Sequence, residues 1–233
     1  MTKGRFLFYC VLLVGAAYGG VIFYPAYFYN SSYTYKNLTL YTHDPLSERP
    51  DKLLSAIREK IAADDFYDAG QKFEVYLAGS YAEYSFLAPF CRNDPACAHP
   101  VSDKVFIASS DIVKNHAYQP RGGGVGMSLE SVITRELVKV QLKKKLGIQK
   151  YFTLSKWRKD GYAEHVAMET RDLNSADFCA GASVTDPALP YLRNRLMVEM
   201  VTAVDMISYP ALMEENYSDK SVRARVEQRY CGK

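Results

Sequence analysis

The chain has 233 residues, 48% of them hydrophobic and 24% charged, with a formal charge of +3 at neutral pH. That is room for one ordinary domain and a short extra segment. Lysines and arginines are interleaved with acidic residues except at Lys143, Lys144 and Lys145, so the charge gives no footing for a nucleic-acid partner and none is expected.

No charged residue separates Arg5 from Lys36, and residues 6–28 are almost wholly apolar or aromatic, a length that suits a bilayer span. Lys3 and Arg5 precede the run, so the positive-inside bias predicts a signal anchor: residues 1–5 cytoplasmic, 6–28 transmembrane, 29–36 a juxtamembrane linker and 37–233 an extracytoplasmic domain. The lipid bilayer is then a partner through residues 6–28. A signal peptide cleaved near Gly15, Ala16 and Ala17 is the rival, but the apolar run continues through Val21, Ile22 and Phe23. Tyr24, Tyr27, Phe28, Tyr29, Tyr33 and Tyr35 read as an interfacial aromatic belt, the alternative being that some pack on the domain.

Strand then helix opens the domain. Residues 37–42 alternate as a strand does, and Leu53, Leu54, Ile57 and Ile61 recur at helical spacing within 51–63. Residues 72–78 and 104–109 are the next strands. Between them, Cys91 and Cys97 bracket a turn-rich stretch, which favours a local bridge and leaves Cys179 to tie the tail through Cys231; Cys10 stands apart, and four cysteines formally allow three pairings. Zinc binding by the cysteines is disfavoured by their spacing. Asn30, Asn37 and Asn216 each begin a glycosylation sequon.

Residues 121–126 are Gly-rich but match no phosphate-binding spacing, so a connector is expected there. Ser128 suits an N-cap and Gly147 a stop, framing a helix with three lysines in its last turns. Further helices are predicted over 154–168, 191–207 and 220–230. Strands and helices first, then helices alone, make an α+β pattern without an internal linker.

Two segments carry chemistry: residues 132–142, VITRELVKVQL, and residues 156–167, KWRKDGYAEHVA. They resemble the two signature helices of gluzincin metallopeptidases, in which HExxH supplies two zinc-binding histidines and a general-base Glu, and a later helix supplies a Glu ligand. The resemblance covers residues 128–168 in detail and implies a zincin-like fold. It puts Arg135 and Lys139 at the two histidine positions, Glu136 at the base and Glu164 at the third ligand, with Trp157, Asp160, Gly161 and Ala163 completing the second motif and Asp160 standing for the more usual Glu. Guanidinium has no lone pair to donate, and an ammonium repels a divalent metal. No cofactor is therefore expected, and zinc only if other ligands rebuild the site; His43, His99, His116 and His165 are poorly placed to do so. RELVK taken alone would be an amphipathic fragment on a solvated face.

The expected function is a membrane-anchored, non-catalytic peptidase homologue acting in binding or regulation, with a peptide or protein partner in the former active-site cleft. One alternative is an active hydrolase with a relocated metal or with Glu136 as base. Another is a purely structural membrane-anchored module. Two basic side chains and two carboxylates at the degenerate positions further suggest counter-charges standing in for the metal.

Overall fold

The computed structural model describes residues 3–120, 126–168, 170, 175–180 and 188–232. Five strands form the main sheet: β1 (Ser31–Tyr35), β2 (Leu38–Thr42), β3 (Phe73–Leu77), β4 (Ala96–Ala98) and β5 (Lys104–Ile107), in the order β1-β2-β3-β5-β4. β2, β3 and β5 run parallel; the two edge strands are antiparallel to their neighbours. A second, three-stranded sheet is made by β6 (Ser110–Asp111), β7 (His116–Ala117) and β8 (Met127–Ser128). Before the sheet lies α1 (Lys3–Phe23); α2 (Asp51–Ala62) and α3 (Tyr81–Leu87) fall between strands, and α4 (Leu129–Leu146), α5 (Ile148–Thr153), α6 (Lys156–Ala167), α7 (Ser175–Ala180), α8 (Leu189–Glu199), α9 (Tyr209–Glu214) and α10 (Asp219–Cys231) follow them. The fold is α+β, as the pattern of the chain predicts.

Side chains alternate across a strand, so each central strand feeds two cores. Leu38, Leu40, Phe73, Val75, Val105 and Ile107 meet α2 and α4 on one face of the main sheet. Tyr76 and Phe106 point to the other face, where Ile22, Tyr29, Tyr84 and Leu87 cover them. Central strands buried on both faces read in sequence as the continuous apolar runs that made them legible.

That second core corrects the reading of the N-terminus. Among the described residues no helix is long and apolar enough to cross a membrane, so the single-pass assignment, with the cytoplasmic and extracytoplasmic sides drawn from it, is withdrawn. The physical reason lies in the last turns of α1. Ile22 is 3% exposed against the sheet, Tyr18 and Val21 pack on the same cluster, and the Tyr18 hydroxyl donates to the carbonyl of Phe86. Apolar residues there answer to a sheet face. The aromatic series divides likewise. Tyr24, Tyr27 and Phe28 are exposed and Tyr29 is buried, while Tyr33 and Tyr35 lie on β1, a strand where a linker is expected, packed against the first core.

The helix expected from Ser128 is α4, with the Ser128 hydroxyl accepting from the Ser131 N–H and Gly147 following at φ 80°. Of the three lysines in its last turns Lys143 turns inward, donates to the carbonyls of His99 and Ser102 at 2.8 Å and pairs with Asp103 at 3.1 Å, while Lys144 and Lys145 are exposed. The helix predicted over 191–207 is α8 plus a π-helical turn, Met200–Val204. Residues 121–125 of the Gly-rich segment lie outside the described residues. Cysteines pair as expected, Cys91 with Cys97 and Cys179 with Cys231, leaving Cys10 free. The Asn37 amide donates to the Gln71 carbonyl at 2.7 Å and its oxygen accepts from Arg58, so this sequon's side chain is engaged within the domain.

Candidate functional site

α4 is buried on nearly every face, from Leu129 to Lys143. It lies between the sheet and α6, and α6 in turn packs on α8. The α6–α8 contact is close because of Gly161: a Cβ there would stand 2.2 Å from the Asn194 carbonyl oxygen and 2.8 Å from a Val198 methyl. The Gly161 position of the second motif is thus filled by a residue whose small size the helix packing requires. Ala163, two residues on, is fully buried as well.

The charged positions of both motifs come together across this packing. Arg135 Nη1 donates to Glu164 Oε2 at 3.2 Å, with the two side chains 1% and 0% exposed. One turn further along α4, Lys139 Nζ lies 3.2 Å from Asp160 Oδ1, one turn back on α6. Residues four apart share a helix face, so Arg135–Glu164 and Lys139–Asp160 are two rungs between antiparallel helices. Lys139 also pairs with Glu136 at 2.7 Å, and Lys156 closes on Asp160 from solvent. Three cations face three carboxylates, which leaves no net charge in the cluster. Arg135 and Lys139 are therefore not on a solvated face.

Each member has further partners. The Arg135 guanidinium lies 3.8 Å from the centroid of the Tyr191 ring, and one of its nitrogens stands 3.9 Å from Met127 Sδ. Glu164 Oε1 accepts from the Thr170 N–H at 2.7 Å. Glu136 Oε2 accepts from the N–H of Ala98 on edge strand β4, also at 2.7 Å, so each oxygen of the general-base position already has a donor. Trp157 donates its indole N–H to Asp219 at 2.6 Å, tying α6 to α10. Tyr191, Met127, Thr170 and Ala98 escape sequence reasoning altogether, since each reaches the site from a different element and no local spacing marks it.

Electrostatics follow from the pairing. Burial works against the charge on Lys139, yet Glu136 and Asp160 together hold its ammonium well above the usual range. Burial likewise opposes ionisation of Asp160, and Lys139 and Lys156 overcome it, holding the carboxyl below the usual range. Both groups stay charged because they are paired. A divalent metal does not fit such a set: two of its would-be ligand positions are cations, and the carboxylates are already neutralised. Among the described residues no group of three or more His, Cys, Asp or Glu side chains could hold a metal ion.

The histidines are dispersed as expected, but each is engaged. His43 lies 2.8 Å from Glu83 and stacks on Tyr29; His99 Nδ1 accepts from the N–H groups of Val101 and Ser102; His116 meets the Lys114 carbonyl; and His165 meets the Tyr209 hydroxyl at 2.7 Å. None touches the paired cluster between α4 and α6. No family model matches the chain, and no curated protein or solved structure matches it.

Proposed function

We propose that this chain is a zincin-like domain without catalytic activity, in which ion pairs hold together the two helices that a gluzincin would join through zinc, and that it acts by binding a peptide or protein. The observation that carries the reading is the buried Arg135–Glu164 pair at 3.2 Å. It joins the first-histidine position of one motif to the Glu-ligand position of the other, which is the juxtaposition the gluzincin resemblance requires. The Lys139–Asp160 contact at 3.2 Å supports it one turn away, in the register of antiparallel helices. Against the hydrolase alternative stands Glu136, whose oxygens are occupied by Lys139 and the Ala98 N–H. A general base must reach the proton it abstracts, and this carboxylate is committed to the fold.

The test combines metal analysis, peptide hydrolysis and a rebuilt site. The purified chain should carry substoichiometric zinc and cleave no peptide in a mixed library. The double substitution Arg135→His with Lys139→His should create a site, with Glu164, that takes up one equivalent of zinc and is stabilised by it. Stoichiometric zinc with peptide turnover in the unaltered protein would overturn the non-catalytic reading. A double-histidine variant that folds yet ignores zinc would remove the zincin comparison.

A further inference from the structure

A cavity of about 270 Å³ lies where the end of α2, α6 and the start of α9 converge, walled by Lys60, Asp64, Asp65, Tyr162, His165 and Tyr209. Asp64 is only 6% exposed. Its Oδ1 accepts from the Phe66 N–H at 3.1 Å and from the Tyr162 hydroxyl. Its Oδ2 is covered and has no hydrogen-bond partner among the described residues, so one half of a buried carboxylate is left uncompensated, which costs stability unless a donor joins it. Lys60, in the same wall, is not that donor: its Nζ donates to the Ala167 carbonyl at 2.6 Å and lies 2.9 Å from Glu130 Oε1. His165 is likewise engaged, with Nε2 2.7 Å from the Tyr209 hydroxyl and Nδ1 3.5 Å from Glu199.

Charge and shape together define what fits. Asp64 and Asp65 against Lys60 leave the wall a net charge of −1, and burial, which raises the Asp64 pKa, is opposed by the two donors on Oδ1. The Tyr162 and Tyr209 rings stand 4.9 Å apart, with His165 5.1 Å from Tyr209, an aromatic wall that suits an alkyl chain and a cation alike. Aspartate χ2 is a soft torsion, so a small turn of the carboxylate presents Oδ2 to a donor in the cavity while Oδ1 keeps its own. Among the described residues no three His, Cys, Asp or Glu side chains group to ligate a metal ion, which favours an N–H donor over a bare ion.

We propose that this cavity binds a primary alkylammonium, whose N–H groups reach Asp64 Oδ2 and whose chain lies against Tyr162 and Tyr209. A monocation balances the −1 of the wall and supplies the donor that Oδ2 lacks; its source is a free amine or a lysine side chain. This site is separate from the paired cluster between α4 and α6, and its reading does not depend on the zincin comparison.

Calorimetry of the full chain with butylammonium at low ionic strength and about pH 8, where an alkylamine keeps its proton, tests it. Saturable binding of one equivalent is expected, with a dissociation constant on the order of 1 mM for so small a ligand. Tetramethylammonium, which has the charge but no N–H, and butanol, which has the chain without the charge, should each bind at least about tenfold more weakly. Asp64→Asn keeps an oxygen for Phe66 and Tyr162 and replaces only Oδ2, so it should weaken butylammonium by at least about tenfold. It should melt no lower than the unliganded parent, since it removes an unpaired buried charge, which separates lost binding from lost fold. Nα-acetyl-lysine methylamide identifies the source: binding at least as tight as that of butylammonium assigns a lysine side chain, and weaker binding assigns a free amine. Absence of saturable butylammonium binding, equal affinity for tetramethylammonium, or undiminished binding by Asp64→Asn would each overturn the proposal.

Discussion

Replacing Glu164 by Gln removes one charge while keeping shape, and the local geometry sets its consequence. Glu164 accepts on both oxygens, from Arg135 Nη1 at 3.2 Å and from the Thr170 N–H at 2.7 Å. A glutamine amide offers one oxygen and one NH2 group, so in either orientation a donor faces a donor. Removing one partner of a buried ion pair costs about 3 to 5 kcal/mol. The lower end applies here, because Arg135 keeps the Tyr191 ring at 3.8 Å and the field of Glu136. A loss of about 3 kcal/mol corresponds to a fall in melting temperature of roughly 10 °C for a domain of this size. Urea denaturation with an unchanged slope would establish that the native state alone is affected. The companion double variant, Arg135→Met with Glu164→Gln, removes both charges while the Gln oxygen still accepts the Thr170 N–H, and should recover most of the loss, since neither a buried charge nor the Thr170 N–H is left unpaired. A Glu164→Gln cost below about 1 kcal/mol, or a double variant less stable than the single one, would refute the claim that this pair braces α4 against α6.

Gly161→Ala should destabilise by about 3 kcal/mol, read by thermal melting, because its Cβ would meet the Asn194 backbone at 2.2 Å and neither helix can yield cheaply; a neutral result would mean that α6 and α8 are further apart than described. His99 is held down to about 4 by burial and, secondarily, by the Lys143 charge. Its folded pKa thus lies below its unfolded value near 6.5, so the unfolded chain takes up the proton first and stability falls as pH drops from about 6.5 towards 4. The loss is about 2 kcal/mol after allowing for residual solvent access, and His99→Asn, which keeps an acceptor for Val101 and Ser102, should flatten that slope in urea titrations. The Cys179–Cys231 bridge spans 52 residues and Cys91–Cys97 only 6; by loop entropy, serine pairs should cost about 4 and 2 kcal/mol respectively, and a reversed order would show that native-state strain dominates.

Local features of the fold were legible in the sequence because local chemistry decides them. Ser128 and Gly147 frame α4 by capping, apolar runs mark β3 and β5, and an even set of cysteines around a turn-rich loop gives both bridges. Spacing also put 135 and 139 on one face of α4, as helix geometry alone requires. What that face meets is a tertiary matter. Arg135 and Lys139 read equally well as a solvated stripe, and only Glu164 and Asp160, brought from another helix, make their burial tolerable, since a buried cation without a carboxylate would not fold inward. Asp160 was legible as a motif departure, but its place as the Lys139 partner follows from the antiparallel register of α4 and α6. The N-terminal run shows the same boundary from the other side. An apolar sequence specifies that water be excluded, and hydropathy cannot say by what; Ile22 and Tyr29 are covered by the second face of the sheet, a surface that exists only once β3 and β5 have paired and turned Tyr76 and Phe106 towards it.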